Sequence, residues 1–88
     1  MIFLLEYDRA AGSLVKFFSY KDEDRARARN DRLELELDLL RKGIAHEVVS
    51  LEASSEEMLH LSHGRYFKSV DELAEEFREY IALYTHQS

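Results

Sequence analysis

Cysteine is absent from this chain, as are proline and any long apolar run. Without cysteine, neither a disulfide framework nor a thiolate metal site can supplement the core. No apolar stretch approaches the roughly 18 residues that a membrane span requires. The opening MIFLLEYDR has no basic region before its apolar stretch, which stops at Glu6, so no signal peptide is expected. The expectation is a cytoplasmic protein without a membrane partner. Basic charge is also scarce: 12 Lys and Arg stand against 18 Asp and Glu, a net charge of −6. That balance disfavours binding to nucleic-acid phosphates. The three glycines, Gly12, Gly43 and Gly64, each have a turn or cap explanation, and none builds a phosphate-cradling loop. No nucleophile motif of the GxSxG kind occurs. The sequence leans away from an enzyme and asks for no cofactor.

What is present suits one small folded domain over residues 1–88, with 45% hydrophobic and 34% charged residues. Residues 2–7 and 14–20 are apolar and aromatic and predict two strands, joined through DRAAGS as a hairpin. In the first strand Phe3, Leu5 and Tyr7 share one face, and Ile2 and Leu4 the other. In the second, Val15 and Phe17 share one face, and Leu14, Phe18 and Tyr20 the other. From Asp22 to Lys42 good helix formers dominate, with acidic residues first and Arg41 and Lys42 last, which complements the helix dipole. Ala26, Leu33, Leu37 and Leu40 form its predicted core stripe, widened by Leu35 and Leu39. Gly43 ends this helix, and residues 44–51 predict a third strand. A short helix follows, with Ser54 and Glu57 at capping-box spacing and Gly64 at its end. A final helix opens at Ser69, with the stripe Val70, Leu73, Ala74, Phe77, Tyr80, Ile81 and Tyr84.

The order β-β-α-β-α-α predicts an α+β two-layer sandwich, a three-stranded, mostly antiparallel sheet with its helices on one face. If the third strand pairs with the first, the sheet is wholly antiparallel; pairing with the second would make that crossover parallel.

Four constellations invite a functional reading. His60 and His63 project from one side of the short helix, and with His46 they could hold a divalent metal ion or serve acid–base chemistry. Unconnected surface and strand histidines explain them more simply. Arg25, Arg29 and Arg32 could line one side of the long helix and bind a phosphate or an acidic partner, although i,i+4 pairs such as Arg32 with Glu36 make an ordinary solvated face. His63, Gly64, Arg65, Tyr66 and Phe67 read either as a site loop or as a helix cap followed by a hydrophobic anchor. The fourth concerns association. Ala26, Asn30, Leu33, Leu37, Leu40 and Ile44 follow coiled-coil spacing, though packing on the sheet accounts better for so broad a stripe.

Helices on one sheet face would leave Ile2, Leu4 and an apolar row of the second strand, including Phe18, to be covered by a second subunit. The alternative is a short helix folded beneath the sheet. The sequence thus predicts a homodimeric protein-binding or regulatory module, with another protein as a further possible partner. Its candidate interface residues are Ile2, Leu4, Phe18, Arg25, Arg29, Arg32, Tyr66 and Phe67. One alternative is a metal-dependent or acid–base enzyme using His46, His60 and His63. Another is an acidic, antitoxin-like inhibitor presenting Glu72, Glu75, Glu76 and Glu79.

Overall fold

A computed structural model describes residues 1–68 together with Glu75, Arg78, Glu79 and Ala82. Apart from those four residues the final predicted helix, including its whole apolar stripe, lies outside the described residues, as do Glu72 and Glu76. Strands β1 (Ile2–Asp8), β2 (Ser13–Tyr20) and β3 (Glu47–Glu52) accompany helices α1 (Arg25–Lys42) and α2 (Glu56–Ser62), with 3-10 turns at Asp22–Asp24 and Gly64–Tyr66. The sheet order is β2-β1-β3 and both pairings are antiparallel. The α+β class and the element order are those the sequence predicts, and the first strand is the centre of the sheet.

Residues 2–7 of β1 are buried on both faces, with Phe3, Leu4 and Leu5 almost wholly inaccessible. A strand with two apolar faces needs cover on each side. Ile2 and Leu4 pack with Tyr20 of β2, Val48 of β3 and Ala28 of α1. Phe3, Leu5 and Tyr7 pack with Leu59 of α2 and with Tyr66, bordered by Phe17, Val49, Leu51 and Phe67. The two helices therefore lie on opposite faces of the sheet, giving three layers where the sequence suggested two. The cover assigned to a second subunit over Ile2 and Leu4 comes from α1 of the same chain. The short helix folds over the other face, the arrangement the sequence left as an alternative.

Local chemistry accounts for the boundaries. Asp8 closes the hairpin by accepting at its Oδ1 from the Ala11 N–H (3.1 Å) and at its carbonyl from Gly12 (2.8 Å). Gly12 takes the left-handed conformation (φ 66°) that this tight turn requires. Gly43 ends α1 in the same region, its N–H directed at the Leu39 and Leu40 carbonyls. The α2 cap is Ser55, one residue beyond the predicted Ser54; its Oγ accepts from the Met58 N–H (3.2 Å).

The register slips between Glu6, which pairs with Lys16, and Tyr7, which pairs with Leu14. Val15 is the extra residue of this bulge and lies 46% exposed. Leu14 consequently joins the Phe17 side and packs with the Tyr7 cluster. Simple alternation had put it with Phe18 and Tyr20.

Candidate functional site

One carboxylate stands among the apolar residues of β1. Glu6 points to the α1 face in line with Ile2 and Leu4 and is 3% exposed. Its Oε2 lies 2.6 Å from His46 Nδ1, and the other ring nitrogen, Nε2, lies 3.5 Å from Asp8 Oδ2. Lys16, the cross-strand neighbour, brings Nζ to 3.9 Å from Glu6 Oε1, an oxygen that makes no hydrogen bond. A carboxylate is retained at such depth only when other groups offset its desolvation, and here one imidazole and one ammonium do so. The ring thus lies between two carboxylates, hydrogen-bonded to Glu6 and within ion-pair range of Asp8. His46 also borders a cavity of about 220 Å³ with Glu36, Leu39, Leu40, Ile44 and Val48. Glu6 carried no functional reading in the sequence. Its signal there is a lone acid inside the otherwise apolar IFLLEY.

The other two predicted metal ligands are placed elsewhere. His60 stacks on Phe67, with ring centroids 3.8 Å apart, and lies 3.6 Å from Glu56. His63 Nδ1 meets Ser62 Oγ at 2.9 Å. Both flank the layer formed by α2, whereas His46 meets Glu6 on the α1 face, so the sheet separates His46 from the pair. Among the described residues, no group of three or more His, Cys, Asp or Glu side chains is placed to hold a metal ion.

The predicted interface residues divide similarly. Ile2 and Leu4 are core. Tyr66 is 5% exposed, edge-on to Tyr7 at 5.2 Å, and Phe67 is edge-on to Phe17 at 5.5 Å. The segment around Gly64 is therefore the hydrophobic anchor of the α2 layer. Arg65 lies over the Tyr66 ring at 4.4 Å and reaches Glu47 Oε1 at 3.3 Å. Arg25, Arg29 and Arg32 lie side by side around a cleft of about 110 Å³ with Ile2, Ala28 and Ser50. Arg25 pairs with Glu52, and Arg32 with Glu36 at 2.9 Å.

Phe18 is 45% exposed on a groove of about 570 Å³ between α1 and β2, floored by Leu4, walled by Leu35 and rimmed by Asp31, Glu34 and Asp38. At one end the Tyr20 hydroxyl donates to Asp31 Oδ2 (2.7 Å). Burial, then this hydrogen bond and the Asp31 charge, push the Tyr20 phenol from 10.0 up to about 12. Between these values the unfolded chain has lost a proton that the folded chain keeps, so stability falls as pH rises. The contribution is whole below pH 10 and gone above about 12. It amounts to at most about 2 kcal/mol, since the hydroxyl borders an open groove. Base unfolding should show this loss, and Tyr20→Phe should flatten it over that window. An unchanged pH profile in Tyr20→Phe would count against the assignment.

The remaining surface feature is the outer side of α1. At 100° per residue, Ala28, Leu35 and Leu39 face the sheet, and Leu33, Leu37 and Leu40 fall on the opposite side. Ala28 and Leu39 are buried, whereas Leu33, Leu37 and Leu40 are 56%, 40% and 77% exposed, with Ile44 at 40% just beyond the cap. The stripe that the sequence assigned to the core thus faces solvent. The helix has two apolar faces, and the sheet uses only the narrower one.

No protein-family model matches the chain, and no curated protein or solved structure shows significant similarity to it. No helix among the described residues is long and apolar enough to cross a membrane.

Proposed function

We propose that the protein is a small protein-binding module whose working surface is the outer face of α1. One observation carries this reading: Leu33, Leu37 and Leu40 stand exposed in a row on a helix already held in place by its other face, with exposed Ile44 just beyond its cap. Single exposed leucines are commonplace, but a row of them at seam spacing marks a surface that receives another helix. The cytoplasmic setting expected from the sequence belongs to the same proposal and suits a chain with no disulfide to lose.

The test separates folding from binding. Leu37→Glu/Leu40→Glu should keep the wild-type far-UV circular dichroism at about 1 µM, where a weak partner adds little stability by mass action. Its melting temperature should stay within about 4 °C of wild type, as expected for surface positions. A fall of more than about 10 °C would show that the leucines serve the fold and would overturn the reading.

A second, acid–base reading draws on His46 between Glu6 and Asp8. The cavity at His46, about 220 Å³, is smaller than the roughly 300–1,000 Å³ of small-molecule sites, which ranks this reading below the first.

A further inference from the structure

We infer that the occupant of this face is α1 of a second copy, lying parallel and in register as a short two-stranded coiled coil. The inference rests on the reading of α1 as a binding surface and adds the identity and direction of the partner. In heptad terms Ala26, Leu33 and Leu40 take the d positions and Asn30 and Leu37 the a positions, all of them exposed.

Charge and overlap together choose the direction. An antiparallel pair slid to put Leu37 opposite Leu40 would bring Glu34 against Arg41, but it leaves Ala26 and Asn30 outside the overlap. The competing antiparallel register is therefore the one that keeps the whole stripe in contact. Arg27, Glu34 and Arg41 stand at the e positions, and Arg29 and Glu36 at g. In a parallel, in-register pair each g residue meets the e residue five positions on in the other helix. Arg29 then meets Glu34 of the second copy, and Glu36 meets Arg41; both contacts are attractive. In an antiparallel pair with Leu33 opposite Leu37, e residues meet e residues. Arg27 would then face Arg41, and Glu34 would face Glu34, so both contacts are repulsive. Among the described residues Arg29, Glu34 and Arg41 make no ion pair within the chain. Elsewhere on the helix Lys42 and Asp38 do pair, at 2.9 Å. Glu36 is engaged by Arg32 and would be shared.

Asn30 points the same way. Parallel and in register, it meets Asn30 of the second copy, and the two amides can hydrogen-bond across the seam. Antiparallel, it lies against Leu40 and the amide is left unpaired. A single polar residue at an a position is a known device for fixing register and two-strandedness. An isolated helix of 18 residues would be marginal as a free coil, but here the sheet has already ordered it, so association need not meet that entropy. A seam from Ala26 to Leu40, about 21 Å long, belongs to the small, concentration-dependent class of interfaces. The pair would place the sheets on the far sides of the two-helix centre, with both α2 layers outward.

The absence of cysteine allows a clean test. Asn30→Cys and Leu40→Cys each introduce a sole thiol. A parallel, in-register pair brings each to its own counterpart, so each variant alone should cross-link to a dimer under mild oxidation. In the antiparallel pair these sites lie about 15 Å from their own counterparts along the axis, past the reach of a disulfide. Neither variant would then close alone, while a mixture of the two would. Native mass should show a monomer–dimer transition between about 1 and 500 µM, the range fitting a small interface. Glu34→Lys should weaken the dimer about tenfold, and Arg29→Glu/Glu34→Lys should restore it. Cross-linking only in the mixture overturns the direction, and a dimer indifferent to Glu34→Lys and Leu37→Glu overturns the surface. A monomer throughout, with no cross-link, overturns the second copy as occupant. In that case an unchanged melting temperature in Leu37→Glu/Leu40→Glu leaves the binding-surface reading standing for a different protein. A lowered one assigns the seam leucines to the fold of the chain itself, and both readings fall.

Discussion

Leu4→Glu is expected to leave no folded protein. Leu4 is 1% exposed at the middle of the central strand, packed with Ile2, Tyr20 and Ala28 between sheet and α1. A carboxylate there loses its water and gains no cation, and Glu6 already occupies the same face two residues on. Burying an unpaired ion costs several kcal/mol even after relaxation. A domain of this size has in total about 4–13 kcal/mol to lose. Far-UV circular dichroism and amide dispersion in NMR should report an unfolded or aggregated chain. The milder Leu4→Ala should remain folded but lose about 2–5 kcal/mol, the range for truncating a buried leucine. A soluble, folded monomer of Leu4→Glu would instead mean that this row is covered by a second subunit and that α1 does not cap it.

The second large effect is an asymmetry at the buried pair. His46→Ala should cost about 2 kcal/mol, because Glu6 stays buried with its best partner gone and Lys16 only at the edge of ion-pair range. For a domain of this size that is a melting-temperature loss of roughly 10 °C. Glu6→Leu should be nearly neutral, within about 1 kcal/mol, since removing the buried charge leaves His46 partly exposed and still near Asp8. Combining the two substitutions should recover most of the stability lost in His46→Ala. Chemical denaturation of the four proteins measures the cycle. Equal losses for both single substitutions would show that the carboxylate contributes net stability, contrary to this account.

The fold was largely legible in the sequence. Two apolar strands, a helix stopped by Gly43 and a capped short helix are local signals, and each led to a real element. Two things were not legible. The first was which side of the sheet each helix takes, because that depends on the pairing of β1 with β3 across some fifty residues, as in Ile2 with Glu52. The second was which leucines of α1 the sheet uses. Leu35 and Leu39 looked like a widening of the Leu33, Leu37, Leu40 stripe. They are a separate face, and the small side chain of Ala28 completes it by letting the helix approach the strands. The Glu6–His46 contact was hidden for the same reason: it joins residues forty apart that only the sheet brings together.

The central position of β1 also sets a timetable. Ile2 to Tyr7 is made before the other described elements, yet the strand is sheltered on both faces only when Leu59 and Tyr66 arrive. At about 5–20 residues per second, Leu59 follows Tyr7 by roughly 3–10 s. Throughout that interval IFLLEY has an open edge and at least one bare apolar face, the composition of a segment that stacks with copies of itself. Glu6 is the only charge within it. The residue that burdens the finished core is thus the only charge that interrupts this apolar segment before it is covered.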